Sequence, residues 1–228
     1  MITQDSSIEN KEAAIQEPKF NIVLRFLAQL FSYIFHPLFV PVYVYWFIAF
    51  VHPGYFVGFS TEGKQKLMVL IIINAVLFPA ITVALLRGLK FIDSIFLKTQ
   101  KDRIIPYIAS MTFFFWTYYV LREQHHIPRV LVSFFFGVFI STAAALISNI
   151  YFKISMHAIG MGGVLGLFTA IVLAGSMLMT GPLTIALLIA GMVCTSRLMI
   201  SDHSQKEVYM GLLVGLVCQL VGVVVVLT

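Results

Sequence analysis

His203 and Glu207 stand four residues apart in the run Ser196-Arg197-Leu198-Met199-Ile200-Ser201-Asp202-His203-Ser204-Gln205-Lys206-Glu207. On a helix that spacing puts them on one face and within reach of each other. A carboxylate on one imidazole nitrogen fixes the tautomer and leaves the other nitrogen free to act as nucleophile or base. Arg197 adds a planar fork suited to phosphate oxygens. A second cluster, Lys153-Ile154-Ser155-Met156-His157, precedes Gly160, Gly162 and Gly163. Ser155 reads as the N-cap of the helix that follows, and a helix N-terminus beside Lys, Ser and His makes an anion site. A third cluster, Lys98-Thr99-Gln100-Lys101-Asp102-Arg103, places Lys101 and Arg103 just before an apolar run, with Pro106 expected in its first turn.

The elements that must position these groups are membrane helices. The chain has 228 residues, of which 60% are hydrophobic and 11% charged. A soluble domain carries about 45–50% apolar and about 25% charged residues. With a mean hydropathy of +0.95, the composition excludes a soluble enzyme, a disordered chain and a secreted disulfide scaffold. The net charge of +5 then belongs to short loops rather than to a nucleic-acid surface. Cys194 and Cys218 lie in apolar runs without ligand spacing. Residues 1–22 form a polar tail, expected to be flexible and cytoplasmic, that lacks the pattern of a secretory signal. Residues 23–228 read as a single transmembrane domain.

The expected architecture is all-α, a multi-pass transmembrane helical bundle of six to seven spans. Apolar runs fall near 24–51, 67–87, 104–121, 130–151, 158–180, 182–200 and 208–228. Pro37 and Pro41 kink or break the first, which could instead be a re-entrant element plus a span. Thr180-Gly181-Pro182 is a turn signal. The loops then alternate sides, and all three polar clusters fall on one face. That face, counted with the tail and Arg25, carries eleven of the fifteen Lys and Arg residues. The positive-inside rule places it in the cytoplasm, and the expected location is a bacterial inner membrane. No Asp or Glu lies mid-span, and His36, Asn74, Asn149 and Gln219 are the few interior polar groups. Transporters usually place ionisable groups at membrane depth, so this pattern disfavours one.

The clusters resemble the motifs of the type 2 phosphatidic acid phosphatase superfamily, which is related to the vanadium haloperoxidases. Its third motif is Ser-Arg, five residues, His, three residues, Asp. Ser196-Arg197, His203 and Glu207 match it in spacing, with Glu for Asp. Its second motif, Pro-Ser-Gly-His, is matched by Ser155 and His157, with Ile154 and Met156 replacing Pro and Gly. Its first, Lys, six residues, Arg-Pro, is matched only by Arg103; Phe96 stands where the Lys would be and Pro106 is displaced. The resemblance implies a membrane enzyme that hydrolyses a lipid phosphate or polyprenyl diphosphate without metal or cofactor. It implies His203 as the nucleophile that forms a phosphohistidine, Glu207 as its support and His157 as the general acid and then base. Arg103, Arg197, Lys101 or Lys153, Ser155 and Ser196 would hold the phosphoryl oxygens. The implied partners are the lipid substrate and membrane lipids, with no nucleic acid.

Simpler readings stand beside these. Ser204-x-x-Glu207 is a capping box, which does not conflict with catalysis. The glycines suit close helix packing. The basic residues suit topology. His203 and Glu207 with His157 or Asp202 could hold a metal. A non-catalytic binder of lipid headgroups, with the same fold, is the alternative function. His125 and His126 fall on the opposite face.

Overall fold

The computed structural model describes residues 21–97, 99–175, 178–200 and 203–227. Among them the protein is all-helical, with eight helices: α1 (Ile22–Ile34), α2 (Val40–Val51), α3 (Thr61–Gly88), α4 (Gln100–Glu123), α5 (Arg129–Tyr151), α6 (Met156–Leu173), α7 (Thr180–Ile200) and α8 (Gln205–Leu227). Six of them, α3 to α8, are long and apolar enough to cross a membrane, so the chain is a multi-pass integral membrane protein. The expected tail, residues 1–22, lies almost wholly outside the described residues.

The first apolar run is not one span. It breaks between Ile34 and Val40, where Pro37 and Pro41 cannot donate to a helical ladder and the Leu38 amide turns to His36 Nδ1 at 3.4 Å. The break leaves two short helices and six conventional spans. Thr180-Gly181-Pro182 is also not a turn. These three residues open α7, where a proline lacks only an amide that has no helical partner anyway. The preceding helix ends at Leu173, and Gly175 takes φ +61°, the left-handed conformation that favours glycine after a helix. Pro106 lies well inside α4, not in its first turn. Thr99 starts that helix earlier than the apolar run does, its hydroxyl accepting from the Asp102 amide at 3.1 Å. Lys101 and Arg103 therefore sit on the helix rather than before it.

The core is built from α5, α6 and α8. About half of α5 and α6 is buried (56% and 50% of their apolar windows), against 22–28% for the other four spans, which present the rest of their surface to lipid. Between apolar helices in lipid, close approach and dispersion do the work that water exclusion does in soluble proteins. Glycine supplies the approach here. A methyl group on Gly162 would collide with the Leu212 carbonyl, and one on Gly215 with the Ile159 carbonyl. One on Gly222 would lie 2.9 Å from the Gly137 Cα. Gln219 is fully buried in this seam and donates from Nε2 to the Ser133 carbonyl at 3.3 Å.

α1 packs on α7. Leu24, Leu27, Ala28 and Phe31 share an apolar groove with residues from Leu187 to Met199, while Ser32 meets Arg197. The two helices therefore run in the same direction, with Arg25 two helical turns back from Ser32. The other tail cations, Lys11 and Lys19, lie outside the described residues.

Candidate functional site

The α7–α8 connection brings together the groups of the strongest sequence cluster. Ser204 and Glu207 form a reciprocal capping box at the start of α8: the Ser204 amide donates to Glu207 Oε2 at 2.8 Å and the Glu207 amide to Ser204 Oγ at 3.3 Å. The same Oε2 lies 3.3 Å from His203 Nδ1. Cap and imidazole support thus come from one carboxylate. An Nδ1–H donated to Glu207 leaves Nε2 as the unprotonated nitrogen of a neutral ring. The His203 side chain is only 3% exposed. Burial, followed by the positive charges of Arg103 and Arg197, lowers its pKa to about 4 despite Glu207. At neutral pH it is uncharged.

The start of α6 closes one side. The Ser155 amide donates to the Glu207 carbonyl at 3.2 Å. A methyl on Gly211 would lie 2.8 Å from the Ser155 carbonyl, so only glycine lets α8 come this close. Ser155 occupies the N-cap position of α6, but its hydroxyl does not cap. That hydroxyl is fully buried with no hydrogen-bond partner among the described residues.

His157 faces α1. Its Nε2 lies 3.0 Å from the Ser32 carbonyl and 3.3 Å from Ser32 Oγ. A carbonyl only accepts, so Nε2 carries the proton and Nδ1 does not. Arg197 Nη1 donates to the same Ser32 Oγ at 2.7 Å, and the His36 ring stands nearly perpendicular to His157 at 5.3 Å. The sequence alone does not single out Ser32, and it offers His36 only as one of a few interior polar groups. A signal was present: Ala28, Ser32 and His36 recur every four residues, a small and polar stripe along one face of an otherwise apolar segment.

The remaining candidates divide. Arg103 reaches across two loops, donating from Nε to the Leu97 carbonyl at 2.9 Å and from Nη1 to the Ile154 carbonyl at 3.1 Å. Those bonds tie the start of α4 to the start of α6. Ser196 is buried, and its hydroxyl donates to the Met192 carbonyl of its own helix at 2.8 Å, not toward a ligand. Lys101 is exposed on the first turn of α4, and Lys153 is half-buried in the α5–α6 loop. Lys98 and Asp202 lie outside the described residues. Among the described residues no three His, Cys, Asp or Glu side chains gather as a metal site requires. His126 packs at a tilt against Phe59, ring centroids 5.8 Å apart, at the other end of the bundle.

Two open cavities lie along the bundle. One is the groove between α1 and α7, about 430 Å³, whose lining reaches Ser196 and Met199 beside Arg197. The other, about 300 Å³, lies at the ends of α4, α5 and α8 away from His203. Neither is lined by His157, His203 or Arg103. Compared with known protein families, curated proteins and solved structures, the chain matches none.

Proposed function

We propose that the protein is a membrane phosphatase that hydrolyses a lipid phosphate or polyprenyl diphosphate, a divergent member of the type 2 phosphatidic acid phosphatase superfamily. The observation that carries the reading is the His203–Glu207 pair: a buried, neutral imidazole with Nδ1 on a carboxylate and two arginine charges beside it. In this reading the His203 Nε2 lone pair attacks phosphorus and the bond to the leaving oxygen breaks. His157, once charged by taking onto its free Nδ1 the proton that the bound phosphate ester carries, leaves the Ser32 carbonyl, gives its Nε2 proton to that oxygen and returns to the neutral ring. Water then attacks the phosphohistidine, losing its proton to His157, and the P–N bond breaks. Arg197, Arg103 and the first amides of α6 oppose the charge that builds on the phosphoryl oxygens. The apolar groove beside Arg197 supports a lipid substrate, because a chain can lie there while its headgroup meets the guanidinium.

The test is phosphate release from phosphatidic acid and from a polyprenyl diphosphate by purified protein, compared with His203→Ala. Turnover in the wild type that disappears in the variant is expected. Equal turnover in both defeats the mechanism.

One observation favours a second reading, a non-catalytic binder of lipid headgroups. Arg103 and Ser196 spend their donors on backbone carbonyls. Vanadate, which adopts the five-coordinate geometry of a phosphoryl group in flight, separates the two. Saturable binding that requires His203 belongs to the phosphatase; lipid binding without vanadate binding belongs to the binder.

A further inference from the structure

At the end of the bundle away from His203, α4, α5 and α8 enclose a cavity of about 300 Å³. That is an order of magnitude more than the ~30 Å³ of one water and reaches the range of ligand pockets. Arg122, in the last turn of α4, and Arg129, the first residue of α5, both line it, together with Tyr118 and His125. Val132 and Val226 supply an apolar wall. Among the described residues no Asp or Glu lines it, while two guanidinium groups do. Arg129 uses one donor on the Val226 carbonyl at the end of α8. Arg122 has no hydrogen bond or ion pair with any described residue. α5 adds to the positive potential: its first turn holds no acidic residue, and Pro128 provides no side-chain cap for its amides.

The bland role of these arginines is to complement helix C-termini, α8 for Arg129 and α4 for Arg122. That role occupies one or two of the five donors each carries, and it does not account for an open cavity between them. Two forks, a phenol and an imidazole over an apolar wall suit a tetrahedral oxyanion with or without an apolar extension.

We propose that this cavity is a binding site for a phosphate-type oxyanion, at the membrane boundary opposite the His203 cluster. The proposal does not rest on the phosphatase reading. The oxyanion can come from a lipid headgroup or from free phosphate.

The test uses the full chain in uncharged detergent, titrated with phosphatidylglycerol, inorganic phosphate or diacylglycerol, with thermal melting as the readout. A saturable rise in melting temperature is expected with an oxyanion and not with diacylglycerol. Arg122→Gln should raise the concentration needed by about tenfold or more, the loss of a charge-assisted hydrogen bond. Arg122→Lys should keep part of the effect, and the part that Arg122→Gln removes should also be present in a His203→Ala background. An effect confined to phosphatidylglycerol identifies a lipid; one reproduced by inorganic phosphate identifies a soluble anion. Arg122→Gln carries little folding risk, since the side chain is exposed. If it titrates like the wild type with both ligands, or if diacylglycerol acts equally, the site does not exist.

Discussion

Arg197 donates to Ser32 Oγ across 2.7 Å, although 165 residues separate the two in the chain. Ser32 is 6% exposed, and its hydroxyl and carbonyl together engage Arg197 and His157. One serine on a short helix thereby holds two of the groups that the site needs. Replacing it with alanine leaves a half-buried guanidinium one acceptor short, at a cost of about 1–3 kcal/mol. Ser32→Ala should lower the melting temperature in detergent, and Ser32→Thr, which keeps the hydroxyl, should recover most of it. An unchanged melt for Ser32→Ala would remove the anchor from the account.

Acid should destabilise the protein through His203. Its folded pKa of about 4 lies below the ordinary histidine value of about 6.5, so the unfolded chain takes up the proton first. Stability falls as pH drops from about 6.5 toward about 4 and levels off below, by up to about 3 kcal/mol in total. Melting curves across that range should show the slope in the wild type and a shallower one in His203→Gln. Parallel curves would place the titration elsewhere.

Glu207 has two duties that substitutions can separate. Glu207→Gln keeps an oxygen for the Ser204 amide but withdraws the negative charge from His203. Phosphate release should fall about a hundredfold or more, with a small change in melting. Glu207→Ala also removes the cap, at about 0.5–2 kcal/mol. If Glu207→Gln retains full turnover, the carboxylate is only a cap.

The glycine seam makes a sharp contrast. Gly162→Ala and Gly215→Ala each set a methyl against a neighbouring backbone carbonyl, which cannot swing away, so α6 and α8 must part. Both should greatly reduce the yield of folded protein. Gly163→Ala meets nothing within 4 Å and should be neutral. The comparison is read from the monodisperse fraction after size-exclusion chromatography.

The order of the spans fixes which loops share a side. Single cysteines at Glu62 and Glu123 should react with a membrane-impermeant thiol reagent from one side, and those at Asp93 and Lys206 from the other. Labelling of Glu62→Cys and Asp93→Cys from the same side would contradict the bundle.

Much of the bundle was legible because hydropathy over about 20 residues is a strong signal in a chain with so few charges. The pairing of His203 with Glu207 was legible for a related reason: both groups lie on one local element, where spacing alone decides reach. What escaped was long-range. Nothing near Ser32 in sequence announces Arg197 or His157, and the direction of α1 depends on which groove it fills. Thr180-Gly181-Pro182 misled because the same residues serve a turn and a helix start. Arg103 and Ser196 have the right chemistry for phosphate, yet nearby carbonyls compete for their donors, and only coordinates reveal that competition.

The broken first segment also has a meaning in time. Ser32 is made 125 residues before His157 and 165 before Arg197. At about 5–20 residues per second of synthesis, the shorter delay, to His157, is roughly 6–25 s. For that interval α1 holds a polar residue with neither partner in existence. α1 can dock only after α6 and α7 have emerged, which makes its docking a late event in the birth of the protein. The polar cluster is therefore assembled last, by the part of the chain that is made first.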